Sequence, residues 1–377
     1  MNLDAPKDFG ISEEHSLLRE QAKKLLDDRA GVEVLRKLAD DDLGYDRELY
    51  AQLAELGWLG LTLPEDVGGA ELGALHMALL FEQMGDHILA GPVLASTLAA
   101  TAIQAAGHAA QRKALLPGIA SGERIATLAL LDGNCSWLPD AVTDEARPHG
   151  DGFVLNGLKP HVDWGGLADV IVAPFRVDGE ITLFAVPTDA PGLERAAEKC
   201  IDISRRTSRV RFTDVRVPAS AMLEGDGAAA LQLAHERGWL YLSAEMLGGT
   251  ERTLHITRDY AADRVQFNKK IGAFQAVKHP LVDIMVACEN TRSLVYAAAA
   301  AADSGSDGAG TLARMAKASA GDAFTYATDR GVQLHGGFGF TWDCDIHFLF
   351  KRAMWSRATL GDARHHRKAL AKILADA

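Results

Sequence analysis

The sequence predicts a mainly α protein with a central β domain, and three observations lead there. Apolar residues recur at helical spacing through roughly the first 120 positions; short β-branched or alternating segments, separated by Gly, Pro and Asp turns, fill the middle; long Ala-rich helical segments follow. These changes of period place domain boundaries at 1–122, 123–226 and 227–377.

Ser12, followed by Glu13 and Glu14, starts the first helix, because a Ser hydroxyl can take an orphan amide and acids suit the positive end of the helix. Leu17, Leu18, Leu25 and Leu26, then Val32, Val34, Leu35 and Leu38, then Leu49, Leu53, Leu56 and Trp58 keep the helical period. Pro64-Glu65-Asp66 and Gly68-Gly69 break it as an ordered loop, and helix resumes over 72–85 and 94–116. Strands are expected at 125–131, 152–156, 170–177, 181–186 and 210–217, in a small antiparallel sheet. Asn156-Gly157 reads as a hairpin turn, since it supplies the two positive φ values of a tight type I′ turn. Three long segments, 231–260, 275–302 and 311–335, are built to pack as an antiparallel bundle, with Ser304-Gly305-Ser306-Asp307-Gly308 joining the last two.

The 377 residues carry a formal charge of -12, which opposes a phosphate backbone, so nucleic acid is not an expected partner. Cys135, Cys200, Cys288 and Cys344 are scattered without a CxxC or a paired His motif, and read as buried thiols with no zinc site or disulfide framework. The N-terminus lacks a basic stretch followed by an apolar one, and no run of about eighteen apolar residues occurs, so a soluble cytoplasmic protein without membrane insertion is expected.

Two stretches stand out: Tyr260-Ala261-Ala262-Asp263-Arg264-Val265-Gln266-Phe267 with Ile271-Gly272 and Phe274-Gln275-Ala276-Val277-Lys278-His279, and Gln333-Leu334-His335-Gly336-Gly337-Phe338-Gly339-Phe340. With Gly57-Trp58-Leu59-Gly60, Leu116-Pro117-Gly118 and Phe212-Thr213-Asp214-Val215-Arg216-Val217-Pro218 in the same order, they resemble the acyl-CoA dehydrogenase family over nearly the whole chain. The resemblance implies a helical domain, an antiparallel β domain and a C-terminal four-helix bundle. It also implies FAD as cofactor, an acyl-CoA substrate and electron-transferring flavoprotein as acceptor. Arg264, Gln266, Phe267, Ile271, Phe274, Gln275, Gln333, Leu334, Gly336 and Gly337 would then hold the pyrophosphate and adenine side of an FAD whose flavin sits mainly in a neighbouring subunit. The chemistry agrees: Arg264 is a planar, permanent cation, and paired glycines let a dinucleotide approach the main chain. Standing alone, the Arg would more often pair with a nearby acid and the glycines merely end a helix.

The family's reaction needs a carboxylate in a dry pocket, where desolvation raises its pKa toward the working pH. Alignment from Arg352 puts Gly361 at the usual Glu position, and counting back from Tyr260 puts Gly238 at the alternative one. Asp362 is the preferred substitute base, with Glu236 or Glu245 behind it; the competing readings are a helix N-cap for Asp362 and ion-paired residues for the two Glu. Relatives carry a Thr-Glu-Pro-Gly-x-Gly-Ser-Asp type loop where this chain has Leu130-Leu131-Asp132-Gly133-Asn134-Cys135-Ser136. In the next flavin-facing segment His161 and Asp163 replace a Trp and a Thr, and are candidates for cofactor contact, His161 equally a structural histidine.

Such half-kept sites resemble heteromeric α2β2 members that act on steroid CoA thioesters. Three readings follow: a catalytic dehydrogenase subunit, a non-catalytic partner giving adenine-side contacts only, and a relative that passes electrons to oxygen.

Overall fold

The computed structural model describes residues 9–375, so the first eight residues of the stretch read for a leader lie outside it. The N-terminal region is helical: α1 (Glu13–Arg29), α2 (Val32–Leu38), α3 (Arg47–Glu55), α4 (Ala74–Asp86), α5 (Val93–Ala106) and α6 (Ala109–Ala120). Ser12 caps α1 as expected, accepting the His15 amide while His15 Nδ1 takes the Ser12 amide in return. Asp46 does the same for α3, accepting the Leu49 amide at 3.0 Å. The segment read as one helix over 94–116 is two: Gly107 is extended, and the His108 ring caps α6 by accepting the Ala110 amide at 3.1 Å. α4 and α5 are buried on nearly every side, because they lie between the rest of the helical domain and the long helices that follow.

The middle of the chain forms β1 (Ala126–Leu128), β2 (Glu145–His149), β3 (Gly152–Asp163), β4 (Val170–Val177), β5 (Glu180–Pro187), β6 (Leu193–Glu198) and β7 (Thr207–Pro218). They make one sheet ordered β1-β4-β2-β3-β7-β6, with β5 also on β4. Two corrections arise here. The sheet is mixed, since β1 and β2 both run parallel to β4. Asn156-Gly157 is no turn: both residues lie inside β3, at a register shift opposite β7, and the Asp144 carboxylate accepts the Leu158 amide there. The β2–β3 turn falls instead at Gly150-Asp151, between paired His149 and Gly152. β2 and β6 escaped the sequence reading because their side chains are mostly exposed and polar, with no alternation to report.

The C-terminal region comprises α7 (Gly227–Asp263), a hairpin of β8 (Val265–Gln266) and β9 (Lys269–Lys270), α8 (Gln275–Asp303), α9 (Ala309–His335), α10 (Ile346–Ala358) and α11 (Ala363–Ala375). α7, α8 and α9 pack as the three long members, and α10 and α11 close against α9. α7 also lies along α4 and α5, so one hydrophobic core runs through all three regions. Of the four cysteines only Cys288 and Cys344 are buried; Cys135 is exposed and Cys200 half-buried, correcting the uniform reading. No helix among the described residues is long and apolar enough to cross a membrane.

Candidate functional site

Two concavities bear the predicted residues. The first is a cleft of about 520 Å³ where the ends of α7 and α9 meet. Arg264, Gln266, Ile271, Gln333, Leu334, Gly336 and Gly337 all line it, so two runs some seventy residues apart in sequence converge as expected. Arg264 is the exposed residue that ends α7, and its guanidinium makes no ion pair among the described residues. Gly336 ends α9 at φ 63 and ψ −146, a conformation essentially closed to residues with a Cβ, and around Gly337 there is open space. Tyr260 stacks on His335 at 4.2 Å between centroids and on Phe338 at 6.2 Å, giving the cleft a flat aromatic floor.

The three other predicted contacts stand beside this cleft. Phe267 occupies the β8–β9 turn with φ 53, is 85% exposed, and meets Phe274 edge-on. Gln275 opens α8, with Phe274 as its N-cap residue. A free permanent cation, an approachable glycine backbone and a planar aromatic surface together fit a diphosphate joined to a flat base, the adenine side of FAD.

The second concavity is a cavity of about 450 Å³ between α5, the segment after β1, the end of β3 and the C-terminal end of α10. Leu94, Leu98, Met354, Trp355 and Leu360 form its helical wall, and Leu130, Leu131 and Trp137 its loop wall. Thr127, His161, Asp163 and Thr207 come from the sheet side. His161 is exposed, with Nδ1 2.8 Å from the Glu198 carboxylate. Asp163 is the one carboxylate among the cavity-lining residues. Its Oδ1 is buried with no hydrogen-bond partner, and burial pushes the group up to about 7 against the pull of Arg205.

Asp362 lies outside this lining. Its Oδ1 accepts the His365 amide at 2.8 Å and its carbonyl accepts the His366 amide, the N-cap arrangement for α11. Glu236 accepts from Gln232, and Glu245 is clamped between Arg205 and Arg352. Leu360, at φ 61, projects between the two glycines: a Cβ on Gly238 would come within 2.7 Å of it, and one on Gly361 within 2.6 Å of His365. The Leu360 carbonyl is fixed by Trp239 Nε1 at 3.1 Å and His366 Nε2 at 3.0 Å.

Behind the cavity sits a cluster that the sequence reading missed. Arg352 donates to Asp202 at 2.6 Å, to Glu245 at 2.6 Å and to Ser204 and the Leu89 carbonyl, while Arg205 pairs with Glu245 and lies over Trp355 at 4.4 Å. Burial alone would raise the Glu245 carboxyl, but Arg205 and Arg352 outweigh it and hold the group below the usual range. On the loop wall, buried Lys159 bridges Asp132 and Asp144. Both acids and the lysine were in view as sequence, but nothing local signalled that they meet.

Residues 12–123 match the family model of the acyl-CoA dehydrogenase N-terminal domain, and residues 224–375 that of the C-terminal domain. The chain belongs to the acyl-CoA dehydrogenase family, FAD-dependent oxidoreductases. It is 31% identical to the acyl-CoA dehydrogenase IpdE2 of Mycolicibacterium smegmatis over 362 residues, 96% of this chain and 98% of that one. Among solved structures, a variant of the Tcur3481-Tcur3483 steroid ACAD matches at 32% identity and a TM-score of 0.88, covering 97% of this chain and 98% of that chain. The ChsE4-ChsE5 complex of Mycobacterium tuberculosis matches at 27% identity and a TM-score of 0.91, covering 98% and 99%.

Proposed function

We propose that this chain is the non-catalytic subunit of a heteromeric acyl-CoA dehydrogenase, bringing the cleft for the dinucleotide tail of an FAD whose flavin ring and catalytic base belong to a homologous partner. One observation carries the reading: the tail cleft is assembled and its Arg264 is free, whereas both base positions are glycine, with His365 crowding Gly361 and Leu360 lying over Gly238. Arg264, Gln333, Gly336 and Gly337 are the residues assigned to the diphosphate and adenine, with Gln266, Ile271 and Leu334 beside them and Phe267, Phe274 and Gln275 at the rim. FAD, when bound, supplies the hydride acceptor for desaturation. Asp362 is assigned the cap it makes and not the base.

Two of the similar structures are of paired, differently named chains, and one is called a steroid enzyme. That supports an α2β2 assembly in the cytoplasm acting on a steroid or other bulky CoA thioester, with electron-transferring flavoprotein as acceptor.

Anaerobic mixing with a panel of acyl-CoAs tests this. The chain purified alone is expected to show no substrate-dependent bleaching of flavin absorbance, and the same chain co-expressed with its homologous genomic neighbour is expected to bleach. Bleaching by the homomer, abolished in Asp362→Asn, would overturn the reading and make Asp362 the base. Rapid reoxidation of the complex by air in place of the flavoprotein acceptor would point instead to an oxygen-reactive relative.

A further inference from the structure

We propose that the cavity between the three domains of this chain binds a largely apolar small molecule carrying one hydroxyl or carbonyl group, which Asp163 holds. The inference rests on the reading that the flavin ring occupies the partner, which leaves this space to another ligand. At about 450 Å³ the cavity is in the size range of small-molecule sites, and exposed Lys199 and Ile201 on its rim give it a mouth. Leu94, Leu98, Leu131, Trp137, Met354 and Leu360 offer an apolar guest surface on both walls.

The polar demand is narrow. The Thr127 hydroxyl is committed to the Asp163 backbone carbonyl at 2.6 Å, and His161 to Glu198. The Asp163 carboxyl oxygen Oδ1 is buried without any partner, a costly arrangement that a ligand group would relieve. The charged groups that face it are Arg205 and Asp202 from the β6–β7 connection, Glu245 from α7 and Arg352 from α10. Arg352 and a terminal nitrogen of Arg205 are taken up by Asp202 and Glu245; Arg205 keeps a buried Nε–H without a partner and draws Asp163 toward its ionised form, but burial outweighs that pull. The carboxyl, with its unpartnered Oδ1, can accept from a ligand hydroxyl and, when protonated, donate to a carbonyl. The flavin ring would ask for several polar partners along one edge, where the loop wall presents Leu130, Leu131 and Trp137.

Isothermal titration of the purified assembly with cyclododecanol, cyclododecanone and cyclododecane, its flavin content recorded in parallel, tests the site. The alcohol and the ketone are expected to bind about tenfold more tightly than the hydrocarbon, the worth of one buried hydrogen bond. Asp163→Ala should erase that preference and keep hydrocarbon binding, Asp163→Asn should restore it, and Leu98→Trp should fill the cavity and abolish all three. Absence of binding by any of the three compounds, or a preference that survives Asp163→Ala, would overturn the site while leaving the assembly reading intact. Loss of flavin from Asp163→Ala would instead overturn both, because it would put the ring in this cavity.

Discussion

Arg352→Met is expected to destabilise the protein by about 3–5 kcal/mol, the usual consequence of removing one member of a fully buried, hydrogen-bonded ion cluster. Arg352 comes from α10, Asp202 and Ser204 from the β6–β7 connection, Glu245 from α7, and the Leu89 carbonyl from the turn before α5, so one guanidinium joins all three regions. Met fills much of the volume but leaves Asp202 without its cation and Glu245 with Arg205 alone. Arg352→Lys should recover little, because an ammonium cannot reproduce a planar fork serving four acceptors.

The pH dependence has a definite sign. Glu245 is held below its ordinary range, so its contribution is present above the unfolded carboxylate pKa and is lost as pH falls through the folded one. Removing Arg352 raises that folded value, and acid unfolding should therefore begin at higher pH. Urea titrations at neutral and mildly acidic pH check both points; a change under about 1 kcal/mol would contradict the account.

Lys159→Met should be comparable in cost, on the order of 3–5 kcal/mol by the same argument, and its effect should concentrate on one loop. Lys159 is fully buried, bonds Asp132, lies 3.2 Å from Asp144 and 2.7 Å from the Pro174 carbonyl, and packs over the Phe175 ring. Burial pushes the Asp132 carboxyl up, but Lys159 and the amides of Thr143 and Asp144 hold it below the usual range. Asp132 thus closes the segment 132–144 on itself, and that segment carries the Cys135 and Trp137 wall of the cavity. Without the lysine the buried Asp132 and the half-buried Asp144 carboxylates face each other, and limited proteolysis should cut within 132–144 well before the wild type is touched. Adding Asp132→Asn to Lys159→Met removes one of the stranded charges and should recover part of the loss. Unchanged proteolysis would contradict the role given to the loop.

The cleft was legible in the sequence because its residues come from two short runs, each with a pattern tied to its chemistry: Arg264 closing a long helix, and Gly336-Gly337 after another. The long helices were legible for the same local reason, and Ser12 marked its helix through a cap that works within four residues. The cavity was not. Its walls are drawn from α5, β1, β3 and α10, and the cluster behind it joins Asp202, Arg205, Glu245 and Arg352, positions that no periodicity connects. Asn156-Gly157 misled because turn chemistry is permissive: β7 pairing and the Asp144 carboxylate keep that dipeptide inside a strand. The expectation of a base at Asp362 came from placement alone, one residue from the family position, and could not register that its oxygen is taken up by the His365 amide.

The central claim is that this chain grips the dinucleotide tail of FAD across a subunit boundary, and the flavin content of the purified assembly carrying Arg264→Gln tests it most directly. The account expects FAD affinity to fall by about 10- to 100-fold on loss of a charge-assisted phosphate contact, with the assembly intact by size and thermal stability unchanged. Full retention of flavin in Arg264→Gln would contradict it.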